Sequence, residues 1–207
     1  MARDVIPNAA LCPLPASFYN RPTELVAREL LGAVLECRAG GAVTRGLIVE
    51  TEAYPGPHDP ACHAAAGLTP RNRQLFGPPG TVYVYFIYGV HWMVNAVTRE
   101  EGYGSAVLIR AVEPVSGLHL MRRRRGSVSD RALTDGPGKL CQAFGIGARH
   151  NGTSLISGPV RILAGEAVPA REVVVTPRIG ITKAADWPLR FLVRRGVDRV
   201  RSPRSRR

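Results

Sequence analysis

Lysine is almost missing from this chain: of 28 basic side chains set against 16 acidic ones, only Lys139 and Lys183 are not arginine. A basic surface built from compact ammonium charges is thereby excluded, and what remains is the planar guanidinium fork that grips phosphate in two places. The formal net charge of +12 makes a polyanion the expected partner. Paired cysteines are absent as well. Cys12, Cys37, Cys62 and Cys141 lie far apart with no Cys-x-x-Cys spacing, which argues against a disulfide scaffold or a zinc ribbon and predicts reduced thiols in the cytoplasm. No apolar stretch of signal-peptide length follows Met1, so nothing directs export. Asp, Glu, Lys and Arg are missing from residues 74–98, a span long enough to suggest a membrane helix. Gly77-Pro78-Pro79-Gly80 breaks its start and Tyr88-Gly89 its middle, and the rest is β-branched and aromatic. Two short strands fit that composition, and no membrane partner is expected.

What is present suits a single domain, which at 207 residues can bury roughly 70% of its unfolded surface without metals or cross-links. Residues 1–16 hold three prolines and little periodicity and predict a loosely attached arm. The folded domain is expected over residues 17–197, with a solvated basic tail over residues 198–207. Pro22 opens a helix that Gly32 stops. Strands are expected at 33–37 and 42–54 around Ala39-Gly40-Gly41, followed by a long Pro-, Gly- and His-rich connection over 55–79. Residues 82–87 and 90–97 then form a tight hairpin with Tyr88 exposed at its tip. A strand over 106–112 carries Arg110 near its end, a basic helix covers 118–125, and Gly136-Pro137-Gly138-Lys139 opens a helix running through Phe144. Short strands at 172–175 and 189–193 complete the pattern. Strands flanking scattered helices without regular alternation predict an α+β fold: one curled, largely antiparallel sheet with peripheral helices and a protruding hairpin.

The chemistry concentrates between Gly46 and Arg110. On the strand over 42–54, a period of two places Ile48, Glu50, Glu52 and Tyr54 on one face. Lone acids among apolar strand residues are costly unless they have a partner or a task. Glu52 is the candidate general base, with Arg110 as the cation that keeps it charged. A structural Glu–Arg pair explains the same spacing equally well, and Glu50, two residues away, is an alternative acting acid. Tyr54, Tyr83, Tyr85, Tyr88 and Trp92 either fill the core, which is the default for Tyr83 and Trp92, or make stacking platforms for nucleobases. An exposed Tyr88 has no core to fill and can wedge between base pairs. His58-Asp59-Pro60-Ala61-Cys62-His63 invites a metal reading, but no second pair completes a tetrahedron, so no metal is expected. His63 lines a pocket or satisfies a loop, and Lys139 at a helix start can meet a backbone phosphate.

Taken together these residues resemble the alkyladenine (3-methyladenine) DNA glycosylase family, from about residue 17 to residue 193. The resemblance rests on Arg-Pro-Thr-Glu-Leu-Val-Ala-Arg-Glu-Leu-Leu-Gly at 21–32, Gly-Leu-Ile-Val-Glu-Thr-Glu-Ala-Tyr at 46–54, Thr-Pro-Arg-Asn-Arg at 69–73, Pro-Gly-Thr-Val-Tyr-Val-Tyr-Phe-Ile-Tyr-Gly at 79–89 and Val-Leu-Ile-Arg-Ala at 107–111, extended by Gly-Pro-Gly-Lys-Leu-Cys-Gln-Ala at 136–143 and Pro-Leu-Arg-Phe at 188–191. It implies that Glu52 is the general base, which decides between the two acids, and that Arg110 helps to hold its water. Tyr54, His63 and Tyr85 match the rings that sandwich an extruded base, Tyr88 the residue inserted into the duplex, and Asn95 the asparagine that crowds the 2-amino group of guanine. Arg71, Arg73 and Lys139 are the expected DNA-backbone contacts. The resemblance further implies a monofunctional, monomeric enzyme without metal or organic cofactor. It would act on double-stranded DNA containing damaged purines such as 3-methyladenine, 7-methylguanine or hypoxanthine.

Two departures stand out. Gly56-Pro57-His58-Asp59 has histidine where many relatives carry an acid, and the segment 122–132 is unusually rich in arginine. A two-residue hairpin loop also pairs Val94 with Tyr83 and Trp92 with Tyr85, which sends Asn95 and Tyr85 to opposite faces; a bulge or longer loop is needed if both line one pocket. The competing readings are a nucleic-acid-binding module that cleaves nothing and an O-glycoside hydrolase using Glu50 and Glu52 as a carboxylate pair.

Overall fold

The computed structural model describes residues 12–194, so residues 1–11 of the expected arm and the arginine tail at 198–207 lie outside it. Helices α1 (Ala16–Tyr19) and α2 (Thr23–Glu29) lead into the hairpin of β1 (Val34–Ala39) and β2 (Ala42–Tyr54), then the hairpin of β3 (Val82–Ile87) and β4 (His91–Thr98), and then β5 (Ser105–Ser116). Helices α3 (Leu118–Arg125) and α4 (Pro137–Phe144) follow, with β6 (Val160–Leu163), β7 (Val173–Thr176) and β8 (Arg190–Val193) closing the chain. All eight strands join one sheet in the order β3-β4-β5-β2-β1-β6, with β8 paired to both β2 and β7 and every pairing antiparallel. The sheet forks along β2, whose first half pairs with β1 and whose second half, from Glu50 to Glu52, pairs with β8. The α+β architecture expected from the sequence is the one observed. Helix α1 was not foreseen, and the chain from Cys12 to Leu14 runs alongside β6 through backbone hydrogen bonds to Ile162 and Ala164.

Apolar side chains alternate as the pleat requires and send one face of the sheet against α2 and α4. Val82 and Val84, Val94 and Ala96, and Val107 and Ile109 meet Val26, Leu30, Leu140 and Phe144 in the main core. The opposite face holds a smaller cluster of Cys62, Leu75, Tyr83, Val97 and Ala106, against which Tyr54 and Tyr85 pack. Gly32 does end the α2 segment: its φ is +86°, and a Cβ there would meet the Glu166 carbonyl oxygen. The arginines of α3 are largely committed to structure. Arg122 pairs with Asp130 at 2.7 Å, and Arg124 donates to the Ala143 carbonyl at 2.9 Å, neutralising the exposed carbonyls at the end of α4.

The β2–β5 register shifts at three places, and the two on either side of Glu50 shape the site. The β2–β5 register slips at Val49 and slips back at Arg110, so neither residue has a Cα partner on the other strand. Ile48 and Val112 consequently lie in the main core, whereas simple alternation puts Ile48 on the face of Glu50 and Glu52. Bulges re-aim side chains. Here the pair of slips leaves the two carboxylates and Arg110 together on the face away from the main core. Arg110 lies in the middle of β5, which is longer than expected and runs on to Ser116.

The β3–β4 hairpin corrects a second expectation. Ile87 pairs with His91, so the loop is the three residues Tyr88, Gly89 and Val90, and the strands are offset by one from a two-residue turn. Tyr83 now faces Asn95 and Tyr85 faces Met93, which brings Tyr85 and Asn95 to the same face. Phe144 is wholly buried in the main core. Phe144→Ala is expected to lower unfolding free energy by about 3–5 kcal/mol, read from urea denaturation, through the cavity it leaves.

Candidate active site

On the face away from the main core, β2, β3, β4 and β5 frame a cavity of about 270 Å³. Its walls include Tyr54, His63, Tyr83, Tyr85, Asn95 and Arg110, with Tyr88 at the mouth and Ile179 to Ile181 covering one side. The size, just under the range typical for drug-sized ligands, suits one heterocycle. Five of the expected residues (Tyr54, His63, Tyr85, Asn95 and Arg110) therefore converge, and Tyr83, given the core by default, is both packed in the smaller cluster and part of the wall.

Glu52 is fully buried behind this wall, at 0% exposure. Its Oε1 accepts the Ile179 backbone N–H at 2.8 Å and lies 3.2 Å from Nη1 of Arg110, while its Oε2 accepts the Tyr54 hydroxyl at 3.0 Å. A carboxylate offers about four lone-pair positions. Each oxygen accepts one hydrogen bond, and the Arg110 guanidinium stands against Oε1 as an ion pair, which leaves Oε2 with acceptor capacity to spare. Glu50 is also buried, yet its company differs: its Oε1 is shared by Nε of Arg110 at 2.7 Å and Nε of Arg190 at 2.6 Å. Neither acid is itself part of the cavity lining; what separates them is their partners, since Glu52 bonds to Tyr54 and to the Ile179 N–H, both of which line the cavity, whereas Glu50 shares with it only Arg110 and otherwise meets Arg190, which lies outside the lining. Burial works against the charge of Arg110, but Glu52 and Glu50 outweigh it and raise its pKa. The phenols of Tyr54 and Tyr85 are pushed well above their ordinary value, chiefly by burial, and Tyr83 is pushed up to about 12 for the same reason. All three stay neutral in the working range, and Tyr54 donates its proton to Glu52.

The ring wall is hydrogen-bonded as well as packed. His63 Nδ1 meets the Tyr83 hydroxyl at 2.8 Å, and the His63 and Tyr85 rings lie 4.5 Å apart at 67°. His63 remains exposed at the rim; its pKa is lowered by burial of the ring and by the nearby Arg71 charge, which favours the neutral imidazole. The long connection holding His63 is more ordered than its composition suggests, with 3₁₀ turns at His63–Ala66 and Arg73–Phe76. Asn72 ties it down: its side chain donates to the carbonyls of His63 and Gly67 at 3.0 and 2.8 Å and accepts the Thr69 N–H at 2.7 Å. Asn95, buried in β4, donates to the Tyr83 carbonyl at 3.1 Å.

At the mouth of the cavity, Tyr88 stands at the hairpin tip with 75% of its surface exposed and a left-handed φ of +56°. Exposed Phe86 and Val90 flank it. Arg71 reaches this hairpin through Nη2 to the Phe86 carbonyl at 3.1 Å, and Arg73 is exposed on the adjoining turn. Lys139, in the first turn of α4, is held by Asp135 at 2.8 Å, while its neighbour Pro137 touches the cavity. Cys62 lines the cavity too, its thiol turned to the backbone carbonyls of Tyr54 and Gly104 and pushed up to about 11 by burial. Among the described residues no group of three or more His, Cys, Asp or Glu side chains is placed to hold a metal ion, and no helix is long and apolar enough to cross a membrane.

Sequence reasoning missed the segment over 177–181. Arg178 is buried against Asp59, with Nη2 donating to Oδ1 at 2.9 Å and Nη1 to Oδ2, and its Nη1 also donates to the Ala53 carbonyl at 3.0 Å. Its guanidinium sits 4.7 Å from the centre of the Tyr54 ring. Burial opposes the Arg178 charge, and the Asp59 hydrogen bonds more than compensate. This ion pair fixes the backbone that presents the Ile179 N–H to Glu52. Removing one partner of such a pair strands the other charge, so Asp59→Ala is expected to cost about 3–5 kcal/mol in urea denaturation, well beyond a surface substitution.

The match to known proteins is as extensive as this geometry. The model of the methylpurine-DNA glycosylase (MPG) family matches residues 17–196. A protein of Methanoculleus marisnigri is 52% identical over 184 residues, covering 87% of this chain and 95% of its own. Proteins of Myxococcus xanthus (50% over 184 residues; 87% and 90%) and Chlorobaculum parvum (48% over 181 residues; 87% of each) match similarly. All three carry the name 3-methyladenine DNA glycosylase as a provisional assignment. A family match across most of the chain, with relatives near half identity over nearly their whole length, places this chain in the methylpurine-DNA glycosylase family.

Proposed function

We propose that the chain is a monofunctional glycosylase that turns alkylated or deaminated purines out of duplex DNA and hydrolyses their N-glycosidic bond with a water activated by Glu52. The substrates are 3-methyladenine, 7-methylguanine and hypoxanthine, and the reaction begins base excision repair. The observation that carries this reading is the setting of Glu52: a wholly buried carboxylate with acceptor capacity to spare on Oε2, held by Arg110, Tyr54 and the Ile179 N–H beside a ring-walled cavity. A protein that only grips phosphates gains nothing from an anion there, and a neutral sugar polymer does not call for a net charge of +12.

In this reading Arg71, Arg73 and Lys139 hold phosphates, and Tyr88 fills the space the nucleotide vacates. The base enters between Tyr54 on one side and His63 with Tyr85 on the other, and Asn95 limits what fits beside Tyr83. A 3-methyl- or 7-methylpurine is cationic, so electron-rich rings attract it and its glycosidic bond is already weakened. The water oxygen bonds to C1′ as the C1′–N bond breaks. The electron pair of that bond goes to the departing base, the water proton goes to Glu52, and an abasic site remains. The enzyme works as a monomer without metal or organic cofactor, in the cytoplasm and on the nucleoid when bound.

The deciding assay incubates the protein, with no metal added, with duplexes carrying single 3-methyladenine, 7-methylguanine, hypoxanthine or ethenoadenine residues, and scores alkali-labile sites. Cleavage at the first three is expected, and absence of cleavage at every lesion removes the reading. Glu52→Gln should bind lesion duplex in a gel-shift measurement while single-turnover excision falls by at least about 100-fold, the lower end of what a general base typically contributes. Tyr88→Ala should lose most of the signal that a fluorescent base analogue gives on extrusion, with less effect on binding to undamaged duplex.

A further inference from the structure

The buried charges behind the cavity are arranged with more arginine than Glu52 alone needs. Glu50 and Glu52 are alternate residues of one strand and both are out of solvent, at 1% and 0% exposure. Arg110 straddles them, with Nε on Glu50 and Nη1 on Glu52. One cation between two buried anions leaves a net negative charge, a state that low-dielectric surroundings penalise. Arg190 removes the excess. It arrives from β8, where its Cα is paired with that of Glu52, donates Nε to the Glu50 oxygen that Arg110 also uses, and is steadied by Nη1 on the Thr176 hydroxyl at 3.2 Å. The remaining charged or titratable groups around Glu52 are Tyr54 on β2, Tyr85 on β3, and Arg178 in the covering loop, whose charge is met by Asp59. Glu50 holds both arginines through Oε1, and its buried Oε2 has no hydrogen-bond partner among the described residues. That is the geometry of a counterion shared between two cations.

We infer that Arg190 is a positioning residue for excision: by taking up the charge of Glu50 it leaves the Nη1 end of Arg110 on Glu52, where the attacking water is held. The inference rests on Glu52 acting as the base. Without Arg190, Glu50 draws Arg110 to itself and Glu52 loses its cation, although nothing that lines the cavity has changed. The effect belongs to the chemical step rather than to lesion binding.

The test measures single-turnover excision of hypoxanthine from duplex DNA and, separately, affinity for the same duplex. Arg190→Met is expected to slow excision by about tenfold, the scale of one opposite charge withdrawn, with affinity within twofold of the wild type. Arg190→Lys should recover most of the rate. The discriminating variant is the double Glu50→Gln/Arg190→Met, which removes both members of the outer pair; it should excise faster than Arg190→Met alone because Arg110 is again free for Glu52. A merely structural Arg190 predicts the reverse, since two lesions in one packed cluster add or worsen. An unchanged rate in Arg190→Met, or a double variant as slow as or slower than the single, overturns the inference. A fold-wide defect in Arg190→Met shows as a lowered melting temperature, and the lysine and double variants then carry the decision. If Glu52→Gln excises at the wild-type rate, the underlying reading of the base fails instead.

Discussion

One guanidinium, that of Arg110, bridges two carboxylates buried on the same strand. Without it, Glu50 and Glu52 would put like charges two residues apart away from bulk solvent, and the second half of β2 could not lie between β5 and β8. The cluster of Glu50, Glu52, Arg110 and Arg190 sums to zero, which is the condition under which such a group can stay inside a protein. It contributes little to stability compared with an apolar core of the same volume. What it does provide is a charged carboxylate, Glu52, held in place next to the cavity wall.

The backbone is shaped around this cluster. The register slips at Val49 and Arg110, two of the three between β2 and β5, cost ladder hydrogen bonds, and they turn Arg110 toward the acids while keeping Ile48 and Val112 in the apolar core. The fork of the sheet at β2 serves the same end, because only a strand that changes neighbours halfway can take Arg190 from β8 after leaving β1. Across the cavity the three-residue loop of the β3–β4 hairpin sets the register that brings Tyr85 and Asn95 to one face. Packing, pairing and charge converge on one small space, and the main core on the other face carries most of the burial.

Much of this was legible in the residues. Alternation of apolar and polar side chains located β2, β3 and β4, and Tyr88-Gly89 marked the hairpin tip, because period two and turn chemistry are local properties. The slips at Val49 and Arg110 were not legible, since an extra residue in a strand leaves the composition unchanged and shows only in which side chains end up in the core. The one-residue error in hairpin register had the same origin: Val90 is a good strand former, but it sits in the loop. The Asp59–Arg178 pair joins residues 119 positions apart, and no spacing within a single chain announces such a contact. Ile179 takes part through its backbone N–H, to which its side chain gives no clue. The arginine count suggested a binding surface, whereas Arg110, Arg178 and Arg190 are spent inside the molecule.

The segment held by Arg178 has a double duty with a wider consequence. Ile179 is at once part of the cavity wall and the donor that fixes one oxygen of Glu52. Shape and reactivity are thereby coupled on that side, and a substitution that widens the opening there also loosens the carboxylate. The opposite wall is freer in this respect, because His63 and Tyr85 make no hydrogen bond to Glu52 and a change there alters the shape of the site without removing a donor from the acid.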